Sequence, residues 1–373
     1  MELMQANRQW SSRPADERFT SMPELCCFLA FERDHSQRKV LANRDLTVIP
    51  STTDDRDIAM TGPNGHPAQF THWSFNQLCS LAGVPASYIR DSQMPGPLAA
   101  DNLNWGLHHH RTVEDVSVLL RRYPPGYDHR PAGTFLGAVN GPEYGVVWNV
   151  EIADQVYHNF GDGRTGQFRV PGEFGKSVEV TKDNTTLYAS DRDMWCFLAD
   201  EERRIEVPNR RNGEPGSLAR GFYISNSEVG ASRLVLGMFL FDYVCCNRII
   251  WGAQDFHEIK IKHTSGAPHR WIEEVKPVLR TFAESSPQGI SDTLAAARQA
   301  KVKGDVETFL ATRFGSKSIV PKIELAWHAD EGLRPMETIW DVVTGATAYA
   351  RSLPNNDDRV KVERVAGQLL AHV

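Results

Sequence analysis

The sequence predicts an α+β fold, with a central, largely antiparallel sheet between helical N-terminal and C-terminal parts. Three observations predict it. Short apolar, strand-like runs crowd residues 116–264, among them Val116-Ser117-Val118-Leu119-Leu120 and Met194 to Leu198. Turn signals such as Asn140-Gly141-Pro142 punctuate those runs. After Thr264 the spacing turns helical, with Trp271, Val275, Val278, Leu279 and Phe282 on one face. Three regions follow: a mixed N-terminal part (1–115), an antiparallel β-rich core (116–265) and a helical C-terminal part (266–373).

Taken in order, Pro23 to Glu32 reads as a helix. Leu46 to Ile49 and Asp57 to Met60 read as short strands, and Asn64-Gly65 as a tight turn. Thr71 is an N-cap for a helix carrying Phe75, Leu78, Cys79 and Ala82, which Gly83 stops. A further helix is expected over Leu98 to Leu107. Thr134 to Val139 and Tyr144 to Trp148 read as a hairpin, and Val150 to Phe160 as a helix. Thr185 to Tyr188, Met194 to Leu198 and Arg204 to Val207 read as strands, and EVPNRRNGEPGSLA as a hairpin tip or a mobile loop. Pro277 should kink or restart the helix that contains it. Two terminal helices bury Ile339, Val342, Val343 and Ala346, then Val362, Val365, Ala366 and Leu369.

The 373 residues suffice for a large core, and the net charge of −6 argues against a uniformly basic nucleic-acid coat while permitting a local basic groove. The six cysteines include two adjacent pairs, Cys26-Cys27 and Cys245-Cys246, and no C-x-x-C spacing, so free thiols in a reducing compartment are expected. The longest apolar run, Leu234 to Trp251, is interrupted by Asp242, Asn247 and Arg248, so no membrane span is expected. The N-terminal stretch lacks an apolar signal core, and the expected setting is cytoplasmic.

The stretch from Gly221 to Thr264 is the richest in chemistry. Its order is GFYISNSEVGASRL, FDYVCCNRIIWG and IKIKHT, followed late in the chain by TIWDVVTGATAYAR. This series resembles the phage/plasmid-like protein family, a domain of unknown function numbered 932, over roughly residues 70–370. Arg248 and Gly345 depart from its pattern. The resemblance implies a protein carried by phages, prophages or plasmids, and it brings no defined activity.

Several clusters have competing readings. Gly172-Glu173-Phe174-Gly175-Lys176-Ser177 half-resembles a phosphate loop, but Val170 stands where the first glycine belongs and a strand-like Val178-Glu179-Val180 follows, so a surface loop is favoured. His108-His109-His110 cannot all reach one ion from a regular element; His108 and His110 could share a strand face, with Asp128 or His129 completing a site, but a solvated helix end is favoured, and no metal or other cofactor is expected. Asn226, Glu228, Asn247 and His263 form a candidate polar pocket, with His263 as acid or base and Glu228 as its partner. The plainer reading is that Asn226 and Ser227 cap a turn, Gly230 supplies a positive φ, and His263 is a core-edge histidine. Cys246 follows an apolar run that dulls a thiol, so no nucleophile is assigned.

Arg203, Arg204, Arg210, Arg211 and Arg220 bracket one hairpin, Lys260 and Lys262 share a strand face, and Arg121-Arg122 end another strand. With Tyr123, Tyr127 and Phe222 interleaved, they could form a cationic stripe for single-stranded nucleic acid. A solvated, salt-bridged hairpin is the alternative. The leading expectation is a non-enzymatic, DNA-associated protein of a mobile element, acting on single strands or on recombination and replication intermediates, and able to form homo-oligomers. Its phosphate contacts are expected from Arg203, Arg204, Arg210, Arg211, Lys260 and Lys262. Two other classes compete: an acidic decoy that blocks a host defence protein, and an enzyme built on the Asn226/Glu228/Asn247/His263 pocket.

Overall fold

The computed structural model describes residues 14–51, 57–61, 65–91, 93–109, 114–127, 129–171, 179–210, 214–242, 247–250, 258–353 and 356–370. They form a mixed α+β fold with two largely antiparallel sheets and a helical region over 267–370.

The first sheet draws four strands from the N-terminal part, which is therefore not purely helical, and two from the expected core. It contains β2 (Ser36–Ala42), β3 (Thr47–Pro50), β4 (Ile58–Thr61), β5 (Pro67–Phe70), β6 (Asp115–Tyr123) and β7 (Gly133–Asn140). Their spatial order is β2-β6-β7-β5-β4-β3, and only the β5–β7 pairing is parallel. The second sheet opens with β1 (Arg18–Phe19) and continues with β8 (Phe168–Arg169), β9 (Leu187–Ala189), β10 (Met194–Asp200), β11 (Ile205–Arg210), β12 (Glu214–Asn226), β13 (Leu234–Asp242), β14 (Asn247–Ile250) and β15 (Ile259–Ile261). Its main path is β1-β9-β10-β12-β13-β14.

The strands expected between 116 and 264 are therefore divided between two sheets. β6 and β7 pair with each other and, through β2 and β5, with residues before 115. Tyr144 to Trp148, expected as the second strand of a hairpin with β7, is irregular, because β6 already occupies that edge. The β11–β12 hairpin forms as expected, with a register irregularity between Val207 and Arg210.

Helices cover one face of each sheet. α1 (Met22–Asp34) starts at Ser21, whose hydroxyl accepts the Glu24 N–H. α2 (His72–Ala82) starts at the expected Thr71 in a capping box and stops at Gly83, with φ +68°. The short α3 (Ala86–Ile89) leads into α4 (Gly96–His109), and α5 (Asn149–Phe160) follows the first sheet. On the first sheet, α2 and α4 bury Val116, Val118, Leu136 and Val139. On the second, α1 and α5 pack over Leu198, Phe222, Ile224 and Leu236.

The C-terminal helices begin with α6 (Ala267–Arg270), a π turn (Trp271–Val275) and α7 (Lys276–Glu284). Pro277 sits at the restart after that turn, where its missing N–H costs least. Then come α8 (Gln288–Gln299), α9 (Val306–Phe314), α10 (Val320–Glu331), α11 (Ile339–Ser352) and α12 (Asn356–Leu370). Their apolar faces close over Ile205, Val207, Leu218 and Leu240, so this bundle is anchored on the hairpin end of the second sheet.

Gly106 marks the closest helix crossing. A Cβ there would overlap the backbone carbonyl of Ala82, whereas one at Gly289 in α8 meets nothing within 4 Å. Gly106→Ala should therefore destabilise by about 1–3 kcal/mol. Gly289→Ala should be neutral or stabilise by up to ~1 kcal/mol. Urea midpoints of the two variants test this crossing, and equal midpoints would exclude it.

Candidate functional site

The turn between β12 and β13 is the most heavily bonded polar segment. Gly230 adopts φ +88° there. Asn226 is buried, and its amide donates to the Val147 carbonyl and to Asn149 Oδ1, both at 2.8 Å. Ser227 Oγ donates to the Arg192 carbonyl at 2.7 Å and accepts the Ala231 N–H at 2.9 Å. The Val229 carbonyl accepts from Trp73 Nε1 (3.1 Å), Gln77 Nε2 (2.9 Å) and Asn140 Nδ2 (3.1 Å). All three donors belong to the first sheet and its helix, so this turn of the second sheet docks into the first.

Glu228 carries the charge of that junction. Its Oε1 accepts the Asn149 N–H at 2.7 Å, at the first turn of α5. The N-cap residue of α5, Trp148, supplies no side-chain bond, so Glu228 caps the helix from outside and lies against its positive end. Its Oε2 accepts from Arg121 at 2.8 Å, and its backbone carbonyl accepts from Arg38 at 2.8 Å. Arg121 is buried on β6, with Glu32 on its other side at 3.6 Å and the Asp191 carbonyl at 3.1 Å. Tyr123 closes the chain by donating to Glu32 at 2.7 Å. Burial opposes the Arg121 cation, but Glu32, Tyr123 and Glu228 outweigh it and hold the guanidinium charged.

His263 joins this network at one remove. Its Nδ1 lies 3.0 Å from the Gly145 carbonyl, which fixes the proton on Nδ1, and its ring stacks on Tyr144 at 5.0 Å. Tyr144 donates to the Ser227 carbonyl at 2.7 Å. His263 Nε2 is buried and makes no hydrogen bond among the described residues. Asn226, Glu228 and His263 thus belong to one cluster, but the route from His263 to Glu228 runs through Tyr144 and the turn backbone. Asn247 does not join them. It pairs with Asp242, whereas Ser225 pairs with Val235, so Asn247 sits at the opposite end of β13, roughly 20 Å away by strand rise. The Asn226–Glu228 cluster is bonded inward and locks two sheets together.

Of the six expected phosphate contacts, the side chains that are described do not gather on one surface. Arg204 is ion-paired with Glu201. The Arg203 side chain reaches the Ser285 carbonyl at 3.3 Å. Arg210 lies in β11, its backbone opposite Glu214, and Arg211 falls outside the described residues. Lys260 pairs with Glu258 at 2.7 Å, and the same carboxylate also takes Arg364 and the Tyr223 hydroxyl. Lys262 is exposed just beyond β15. β15 meets β13 at Leu234 to Leu236, and β11 meets β12 near Leu218, so the lysines and the hairpin arginines occupy opposite ends of the sheet. Arg220, expected beside the hairpin arginines, is instead buried against Asp200 at 2.9 Å and lies between the Phe168 and Phe282 rings. Phe222 is core, not an exposed stacking ring.

The sequence reading missed a recess on the first sheet. It is a cavity of about 600 Å3 on the face that α2 and α4 leave uncovered towards the Arg122 end of β6. His35, Gln37 and Lys39 line one side, and Leu120 and Arg122 the other. Met60, Leu41 and Val118 lie deeper, while His66 and Thr134 complete the rim. Among the described residues, no carboxylate lines it. Neither Lys39 nor Arg122 has a carboxylate partner among the described residues, in contrast to Arg204 and Lys260. A second cavity, of about 530 Å3, has Arg90 but also Asp57 and Asp91 on its lining. The signal for the recess was present in the even spacing of His35, Gln37 and Lys39. It was passed over because residues 1–45 read as partly helical.

Among the described residues, no group of three or more His, Cys, Asp or Glu side chains is placed to hold a metal ion, and no helix is long and apolar enough to cross a membrane. Gly172 to Ser177, His110, Cys245, Cys246 and His257 fall outside the described residues. No family model, no curated protein and no solved structure matches this chain.

Two predictions follow from the junction. Arg121→Met strands two buried carboxylates and should cost about 3–5 kcal/mol in urea unfolding. Adding Glu228→Gln to it should recover part of that loss, and strict additivity of the two changes would exclude their coupling. Burial, and then the nearby Arg38 charge, hold the His263 imidazole below its ordinary value of 6.5, against the pull of the Gly145 carbonyl. The unfolded chain therefore takes up this proton first, and stability should fall as pH drops below about 6.5. His263→Gln should flatten that part of the stability profile, and an unchanged profile would assign it elsewhere.

Proposed function

We propose that this chain is a non-enzymatic, nucleic-acid-associated protein of a mobile genetic element, binding single strands or the branched intermediates of recombination and replication. The observation that carries this reading is the recess between β2 and β6, with Lys39 and Arg122 on its walls and no carboxylate on its lining among the described residues. Cations without local carboxylates can exchange their counterions for phosphates, whereas Arg204 and Lys260 would first have to leave Glu201 and Glu258. A cationic sheet face bordered by rings is the general form of sequence-tolerant strand binding. The resemblance to the phage/plasmid-like family supplies the mobile-element setting. The overall charge of −6 confines such binding to a local surface.

Fluorescence anisotropy with single- and double-stranded oligonucleotides tests the reading. Single strands should bind more tightly, and affinity should fall steeply between about 50 and 200 mM salt. Lys39→Glu with Arg122→Glu should weaken binding at least tenfold, while Arg203→Glu with Arg204→Glu should change it less than about threefold. Absence of salt-sensitive binding at micromolar protein would remove the proposal.

A further inference from the structure

A column of stacked rings runs up to the recess and meets it only at His35. Tyr123 and Tyr127 stack at 5.7 Å with 22° between their planes. Tyr127 stacks on Phe31 at 4.0 Å and 20°, and Phe31 on His35 at 3.8 Å and 20°. The column is fixed at one end by the Tyr123 hydroxyl on Glu32, and near the other by His35 Nδ1 at 2.9 Å from the Phe31 carbonyl. His35 is the last ring of the column and lines the recess, and no other ring stacks on it among the described residues. A flat π surface therefore faces the same space as Lys39 and Arg122.

We infer that this recess seats one nucleotide unit, with its phosphate held by Lys39 and Arg122 and its base stacked on His35. The inference rests on the nucleic-acid reading above and names its contact site. Three features agree on the ligand. The volume of about 600 Å3 falls within the range of small-ligand pockets and is too small for a duplex. Lys39 and Arg122 lie on one face of adjacent antiparallel strands. Lys39 stands opposite Val118, and Arg122 lies four positions beyond Val118, with its N–H on the His35 carbonyl. Their backbones are thus roughly 13 Å apart by strand rise, a gap two long side chains can span around a phosphate. Leu120, between them, and Leu41, beyond Lys39, give an apolar floor suited to a base or sugar face, and Gln37 and Thr134 offer polar atoms at the rim. A purely apolar ligand would leave two cations and two histidines facing it. An inorganic anion would leave the floor and the ring unused.

The experiment is calorimetric titration of the full chain with nucleoside monophosphates, the matching nucleosides and inorganic phosphate, alongside 5′-phosphorylated oligonucleotides. Monophosphates should bind about tenfold or more tightly than either nucleoside or phosphate alone. Lys39→Ala and Arg122→Ala should each weaken monophosphate binding by about tenfold. His35→Ala should weaken it fivefold to about a hundredfold, and His35→Phe should restore most of the loss. Each variant's urea midpoint separates a lost contact from a lost fold. Oligonucleotide binding without monophosphate binding rejects the nucleotide seat and leaves strand binding standing. Monophosphate binding without oligonucleotide binding does the reverse. Monophosphate binding indifferent to all three alanine variants overturns the assignment of the site.

Discussion

The fold depends on one buried cation. Arg121 reaches from the first sheet to Glu228 of the second and keeps Glu32 of α1 beside it. Each of these groups would be strongly disfavoured alone in the interior. Together they form a compensated set, and the Asn149 amide and the Tyr123 hydroxyl satisfy further oxygens. The geometry of the junction follows from this requirement. Glu228 must present one oxygen to Arg121 and the other to the start of α5, which fixes the β12–β13 turn. Once the turn is fixed, the Val229 carbonyl faces three donors of the first sheet, and Tyr144 can reach Ser227 while stacking on His263.

Interior arginines also explain why counting cations along the chain misleads. Arg38, Arg121 and Arg220 all act inside the molecule, on Glu228, Glu32, Asp200 and backbone carbonyls. Arg204 and Lys260 sit near the surface but answer local carboxylates. Charge available to a ligand depends on what neighbours each cation in three dimensions. By that measure the rim of the recess counts for more than the hairpin.

Local signals in the sequence were reliable. The cap at Thr71, the stop at Gly83, the α5 span and the β11–β12 hairpin are set by residues within a few positions of one another. Sheet membership was not legible, because it depends on which strand edge is already occupied. β7 takes β6 on one side and β5 on the other, leaving no place for Tyr144 to Trp148. In the candidate site, the turn chemistry of Asn226, Ser227 and Gly230 was visible locally. The separation of Asn247 follows from the length of β13, which carries the turns at its two ends apart, and the burial of Arg220 depends on Asp200, 20 residues away, which the local pattern does not show.

Arg121 and Arg122 show how one strand serves two purposes. Adjacent residues on a strand face opposite sides, so the pleat sends Arg121 into the junction and Arg122 to the recess. A slip of one residue would exchange them, placing an unpaired cation in the core and burying Leu119 and Leu120 on the wrong sides. The ion pairs of Arg121 therefore do more than join two sheets. They penalise every other register of β6 and so hold Arg122, and with it the shape of the recess, in place. The register irregularity beside Leu119 and Leu120 places its extra residue, Gly137, on β7, so β6 keeps its alternation through this pair. The recess, open to water, is thus positioned by a charge that never meets it.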